Sequence, residues 1–254
     1  MGIFKYYSPQ DYNFMAFCKN QIFFSRPSNL NDPFDTSDLL IRPYRKFCDA
    51  VGLDNPKPLF EKLGVCCFTK ADKADNGHFW SLYANSYKGY ALEFNEEKFT
   101  DRGYAPLHIH KVTYSKMPFN LNNFSNSFVS EDGIDYTISS CIRDYRNGNS
   151  MSLERLFQYI LLYKDSTIWK AEDEYRMIIG SIRPPNWELQ ELKNGYLFTL
   201  LSANTIKSVT VGHYMEKCDK QMLKNCSEHK DIPIYEAIPC IEKNKWTVKI
   251  SEFK

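Results

Sequence analysis

A chain of 254 residues that is 43% hydrophobic, 15% aromatic and 25% charged has globular composition, which excludes disorder along its whole length. Its 32 Lys and Arg nearly cancel its 31 Asp and Glu, so no global field draws it to nucleic acid or an anionic membrane. No apolar run approaches the roughly 20 residues that cross a bilayer and no signal peptide opens Met1-Gly2-Ile3-Phe4-Lys5, so a cytoplasmic protein without a membrane partner is expected.

Residues 3–7 read as a short strand, and Ser8-Pro9-Gln10-Asp11 supplies a cap, a first-turn proline and an early acid for a helix to about residue 20. A strand over 21–25 leads into Asn31-Asp32-Pro33-Phe34-Asp35, a loop rich in turn formers, and 36–63 read as irregular with one or two short helices. Residues 65–69 form a buried strand, 78–88 a short aromatic helix ended by Gly89, and 90–95 and 107–114 further strands. The Asn- and Ser-rich stretch 117–133 reads as a surface loop, 134–145 as helix, and 150–165 as an amphipathic helix with Leu153, Leu156, Phe157, Ile160 and Leu161 on one face. Strands follow over 169–180 and near 195–200, 208–212, 234–238 and 246–253, with a helix over 215–227. Interleaved strands with few helices predict an α+β fold: a mixed, largely antiparallel sheet with peripheral helices, in one domain over 1–254 with a surface insertion near 116–133.

The eight cysteines, at 18, 48, 66, 67, 141, 218, 226 and 240, keep no framework spacing and include no C-x-x-C pair. Reduced thiols acting as small buried hydrophobes are therefore expected. His78, His108, His110, His213 and His229 offer no i, i+4 pair, and no Gly-rich phosphate loop, nucleophile elbow or zinc-protease motif occurs, so no metal is expected. On a strand over 169–180, Glu172, Glu174 and Arg176 share one face while Tyr175, Met177 and Ile179 point to the core. Arg176 there shields two repelling carboxylates. Such a fixed carboxylate suits chemistry in which positive charge develops on a sugar, and the same pattern equally suits a structural ion-pair ladder. Asp32 and Asp35 either face a substrate or bond their own turn. Trp80 and Tyr83 either stack a ring or fill the core, and Lys164 is a candidate phosphate contact.

Phe4-Lys5-Tyr6-Tyr7, Phe24-Ser25-Arg26-Pro27 with the 31–35 loop, Cys67-Phe68-Thr69, Trp80-Ser81-Leu82-Tyr83-Ala84, Ala91-Leu92-Glu93-Phe94, and Lys164 through Trp169 to Glu172-Asp173-Glu174-Tyr175-Arg176 occur in that order. Together they resemble the bacterial domain-of-unknown-function family 2971. More distantly, an early strand with Tyr6 and Lys5, a middle segment with Trp80 to Tyr83, and a late strand with Glu172-x-Glu174 are similar to the three NAD-binding elements of ADP-ribosyltransferases. Those enzymes carry His or Arg in the first element and a Ser-Thr-Ser strand, both missing here. The resemblance implies NAD as substrate, Glu174 as catalytic carboxylate, Glu172 orienting an acceptor, and Arg176 beside them. It further implies Tyr6 and Tyr83 at the nicotinamide, with Lys5, Trp80, Asn31, Asp32 and Lys164 around the cofactor. The acceptor would be a protein or nucleic acid, and the role that of a toxin or phage-defence effector under a regulatory partner. Two alternatives stand beside it: a metal-dependent nuclease using Asp32, Asp35, Glu172, Glu174 and Lys164, and a non-catalytic module binding a nucleotide or protein.

Overall fold

In the computed structural model, which describes residues 2–100, 108–130, 133–181, 188–200 and 204–253, strands and short helices alternate along the chain. In order they are β1 (Gly2–Tyr7), α1 (Asp11–Cys18), β2 (Gln21–Ser25), α2 (Ser37–Leu40), α3 (Arg45–Val51), α4 (Lys57–Phe60), β3 (Gly64–Ala71), α5 (Gly77–Leu82), β4 (Tyr90–Phe94) and α6 (Glu96–Thr100). Then come β5 (Ile109–Lys111), β6 (Thr113–Ser115), β7 (Ser127–Val129), β8 (Asp135–Thr137), α7 (Ile138–Arg146), α8 (Met151–Ile160), β9 (Tyr163–Asp165), β10 (Glu174–Ile179), β11 (Leu189–Leu192), β12 (Gly195–Thr199), β13 (Ile206–Gly212), α9 (Lys217–His229), β14 (Ile234–Glu242) and β15 (Lys245–Glu252). The class is α+β with a mixed, largely antiparallel sheet, as expected. No helix among the described residues is long and apolar enough to cross a membrane.

The chain divides into two compact units: Met1–Ile22, Cys67–Pro106 and Phe198–Lys254 form the first, Phe23–Cys66 and Leu107–Leu197 the second. In the first, the sheet order is β3-β1-β4-β13-β14-β15. Its pairs are antiparallel except β13 with β14, and α9 makes the crossover that a parallel pair needs. The β14–β15 hairpin turns through Lys243 and Asn244, both at positive φ (50° and 62°), as a two-residue turn that follows strand twist demands. Phe4, Tyr6, Phe79, Trp80 and Val248 belong to one buried cluster on this sheet.

Two local expectations change here. The helix expected over 78–88 stops at Leu82, and Asn85, Ser86 and Tyr87 take left-handed φ of 47°, 55° and 64°. Each such non-glycine residue costs about 1–2 kcal/mol, which the bonds of Tyr87 N–H to the Trp80 carbonyl (3.2 Å) and Tyr214 N–H to the Tyr87 carbonyl (3.0 Å) help to hold. Cys18, at the end of α1, is disulfide-bonded to Cys226 in α9, so the expectation of eight reduced thiols is corrected. The two lie 208 residues apart in sequence, a spacing that no local pattern reveals.

The second unit is built on α7 and α8. Thr137 and Ser140 cap α7 reciprocally, and Ser152 at the start of α8 donates to the Cys141 carbonyl (3.1 Å). Leu153, Leu156, Phe157 and Ile160 are buried as their spacing predicts, but α8 ends at Ile160 because Tyr163–Asp165 leave to pair in parallel with Thr113–Ser115. β10 pairs antiparallel with β5, setting Arg176 opposite His110. The strand expected over 107–114 begins outside the described residues and is split into β5 and β6. β7, in the expected insertion, of which 131–132 lie outside the described residues, pairs with β8, which takes the start of the helix expected over 134–145, so that α7 begins at Ile138.

Candidate functional site

Asp32 caps a single turn of 3-10 helix, Pro33–Asp35, its Oδ1 accepting from the Phe34 N–H at 3.0 Å with proline at the first position. That turn buries Asp35 and leaves Phe34 exposed. Residues Lys170–Glu172 form a second such turn, and Asp173 at φ 41° breaks it so that β10 starts at Glu174. Glu172 therefore reaches the site from a turn and not from the strand, which corrects the expected alternation of Glu172, Glu174 and Arg176 along one strand. β10 is buried on both faces apart from Tyr175, which was expected to point to the core.

These elements bring six charged side chains together in the second unit: Asp32, Asp35, Lys164, Glu172, Glu174 and Arg176, each between 1% and 5% exposed. The Arg176 guanidinium grips Asp35 with Nη1 to Oδ1 at 2.8 Å and Nη2 to Oδ2 at 2.7 Å. Its Nε donates to Glu174 Oε1 at 2.9 Å, and Nη1 also donates to the Leu161 carbonyl. Lys164 Nζ lies 2.9 Å from Glu174 Oε2, 3.2 Å from Glu172 Oε2 and 3.8 Å from Asp32 Oδ2, and stands 4.4 Å above the Trp169 ring. Glu174 is thus fixed between two cations, and its backbone N–H donates to Tyr114 Oη at 2.8 Å.

Four carboxylates share two cations, so with all six side chains ionised these carry two more negative than positive charges. Buried charge is tolerated only when paired, and something must give. Burial and the neighbouring Asp35 hold the Asp32 pKa above the usual carboxylate range, although the Phe34 N–H, Lys164 and Arg176 pull the other way. Asp32 Oδ2 is buried without a hydrogen-bond partner, as is Trp169 Nε1. Burial opposes the charge on Lys164, yet Glu174 and Glu172 hold its pKa above the ordinary lysine value, so it stays an ammonium. The Tyr114 phenol is pushed up to about 12, chiefly by burial and in part by Glu174. A carboxyl whose folded pKa is raised contributes stability below its unfolded pKa and loses it as pH rises through the folded one. Asp32→Asn, which keeps the cap, should therefore raise Tm near neutral pH by an increment that shrinks towards about pH 4. Thermal unfolding across that range checks this, and a lower Tm at neutral pH would contradict it.

Among the described residues, no group of three or more His, Cys, Asp or Glu side chains is placed to hold a metal ion, and Lys164 and Arg176 stand between the carboxylates instead. Lys164 also lines a cavity of about 190 Å3 with Phe34, Leu40, Met117 and Tyr163. Of the remaining candidates, all but Asn31 lie in the first unit. Tyr6 stacks on Phe79 at 5.2 Å and meets Trp80 edge-on, Trp80 donates Nε1–H to the Ala74 carbonyl at 2.6 Å, and Tyr83 packs on Phe79. Lys5 Nζ donates to the Cys67 carbonyl at 3.3 Å. Asn31 is exposed, next to Asp32 in the loop. Sequence reasoning missed Tyr114 and the Leu161 carbonyl, since nothing in their local pattern marks them.

Residues 79–177 match the model of a family described as a protein of unknown function, DUF2971. That stretch holds Lys164, Glu172, Glu174 and Arg176, while Asp32 and Asp35 fall outside it. No curated protein and no solved structure matches the chain, and none of these findings supports the likeness to ADP-ribosyltransferases.

Proposed function

We propose that the second unit acts on the glycosidic bond of NAD, with Glu174 as the carboxylate that faces the developing positive charge. One observation carries the reading: a buried interior with more carboxylates than cations, in which Glu174 is locked in place and Asp32 keeps an unpartnered oxygen and a raised pKa. Two carboxylates held in unlike environments are the usual arrangement for chemistry through a ribosyl cation. The bond from C1′ to the nicotinamide nitrogen breaks, and its electron pair leaves with nicotinamide, which becomes neutral. A ribosyl cation remains beside Glu174. Water or the hydroxyl of a protein or nucleic-acid acceptor, oriented by Glu172, then bonds to C1′ and gives its proton to Asp32. A raised pKa makes Asp32 the better base for this step.

Every charged member of the cluster is buried, so on this reading substrate reaches Glu174 only after residues around the cluster move, and a cavity of about 190 Å3 lies beside Lys164. An NAD-consuming activity of this type would suit a cytoplasmic toxin or phage-defence effector held in check by a partner. A second reading, a ligand-binding module without turnover, is favoured by the engagement of both Glu174 oxygens with Arg176 and Lys164.

Nicotinamide release from NAD, with and without cell lysate as a source of acceptor, tests the proposal. Glu174→Gln should lower turnover by roughly a hundred- to a thousandfold while NAD still raises Tm. Asp32→Asn, which keeps its fold, should also slow turnover. A wild-type protein that NAD stabilises but that releases no nicotinamide supports the binding module, and one that neither binds nor consumes NAD ends both readings.

A further inference from the structure

The first unit contains an open cavity of about 500 Å3 walled by Tyr87, Tyr214, Ile241, Trp246 and Val248, with the exposed carboxylate of Asp75 at its rim. None of these residues belongs to the charged cluster. In the β14–β15 hairpin Ile241 pairs with Trp246 and Pro239 with Val248, so all four side chains share one face. Trp246 is 89% exposed and Tyr214 57%, large aromatic surfaces that a chain rarely leaves in water without use.

The Tyr87 wall is held in place by its neighbours. Tyr87 is the last of the three left-handed residues, and the strained turn presses its ring flat on Trp80, with centroids 5.5 Å apart and an angle of 12°. Its other neighbour, Tyr214, stands nearly perpendicular to it, 6.4 Å away at 79°. At the floor, Gly77 leaves room where a methyl would come 3.2 Å from Tyr87 Oη. Aromatic faces are electron-rich, the only formal charge among the described lining residues is the Asp75 carboxylate, and no lysine or arginine lines the cavity. Perpendicular walls suit a rounded group better than a flat base, which needs parallel faces to stack between.

We propose that this open cavity is a binding site for a methylated ammonium cation, lined by Tyr87, Tyr214 and Trp246 and balanced by Asp75. The chemistry is the attraction of a weakly hydrated cation to aromatic faces, reinforced by one carboxylate. The same head group occurs on choline and on the side chain of a trimethylated lysine, and the two sources are separated by experiment.

The test titrates choline, a peptide carrying trimethyl-lysine, and neohexanol, the uncharged isostere of choline, into the full chain. The readout is the indole N–H resonance of Trp246, assigned by its disappearance in Trp246→Ala. A saturable shift with choline or with the peptide is expected, and the tighter of the two identifies the source. Neohexanol should bind at least roughly tenfold more weakly, and Trp246→Ala and Asp75→Asn should each weaken the cation by a similar factor. Because Trp246 and Asp75 are exposed, neither change threatens the fold. Equal binding of neohexanol, or no saturable shift with either cation, overturns the proposal.

Discussion

Arg176→Met is expected to destabilise the protein by about 3–5 kcal/mol, the cost of removing one partner from a buried ionic network. The side chain is 1% exposed and satisfies Asp35, Glu174 and the Leu161 carbonyl at once, so its loss takes the bidentate cation from Asp35, one of two cations from Glu174 and a donor from the carbonyl, all in the interior. Methionine fills most of the volume, which separates the missing charge from a simple void. The comparison is Arg42→Ala, whose i, i+4 pair with Asp38 lies on the surface with both side chains 59% exposed and should cost no more than about 0.5 kcal/mol. Urea unfolding of both variants measures the difference. Similar midpoints would show that the cluster does not hold the second unit together.

Lys164→Met should cost a similar amount, with a dependence on pH. Lys164 Nζ stands 3.2 Å from Glu172 Oε2 and 3.8 Å from Asp32 Oδ2, and without it the Asp32 carboxyl must bind a proton or stay buried as an anion. The Asp32 pKa, already above the usual carboxylate range, would lose the downward pull of Lys164 and rise further. Such groups support the fold below the unfolded pKa and weaken it as pH climbs through the folded pKa, so the penalty is largest at neutral pH and shrinks as the solution is acidified. Urea midpoints of wild type and variant near pH 7 and about pH 4.5 provide the check. A gap that stays constant or widens in acid would show that the lysine acts through its packing on Trp169 instead.

The regular parts of this chain were legible before any coordinates. The spacing of Leu153, Leu156, Phe157 and Ile160 marks α8, and the apolar run that begins at Val65 marks β3, because burial imposes a period on sequence. The site was half legible. Glu174 and Arg176 share a face by simple alternation, and the Asp32-Pro33 pair announces a capped turn. What joins them did not show, since Asp35 and Arg176 are 141 residues apart and only the folded backbone makes them a bidentate pair. Glu172 was misplaced because a left-handed Asp173 ends a turn where alternation suggested a continuous strand. The aromatic segment 78–88 misled for the same reason: its last turn winds left-handed through residues with no glycine to signal it.

The discontinuous build of the first unit bears on how the protein is made. β4 emerges from the ribosome long before β13, the strand that pairs with it through Ile206–Val211, and β14, β15 and α9 come later still. Until the last segment is released, β4 lacks its partner on that side and keeps an open edge, which is a template for pairing with another chain. The second unit, by contrast, has its whole sequence available by Leu197. Completion of the first unit therefore waits until the segment from Phe198 onward has been made, and pairings over such separations form slowly, so the nascent chain carries an aggregation hazard until then.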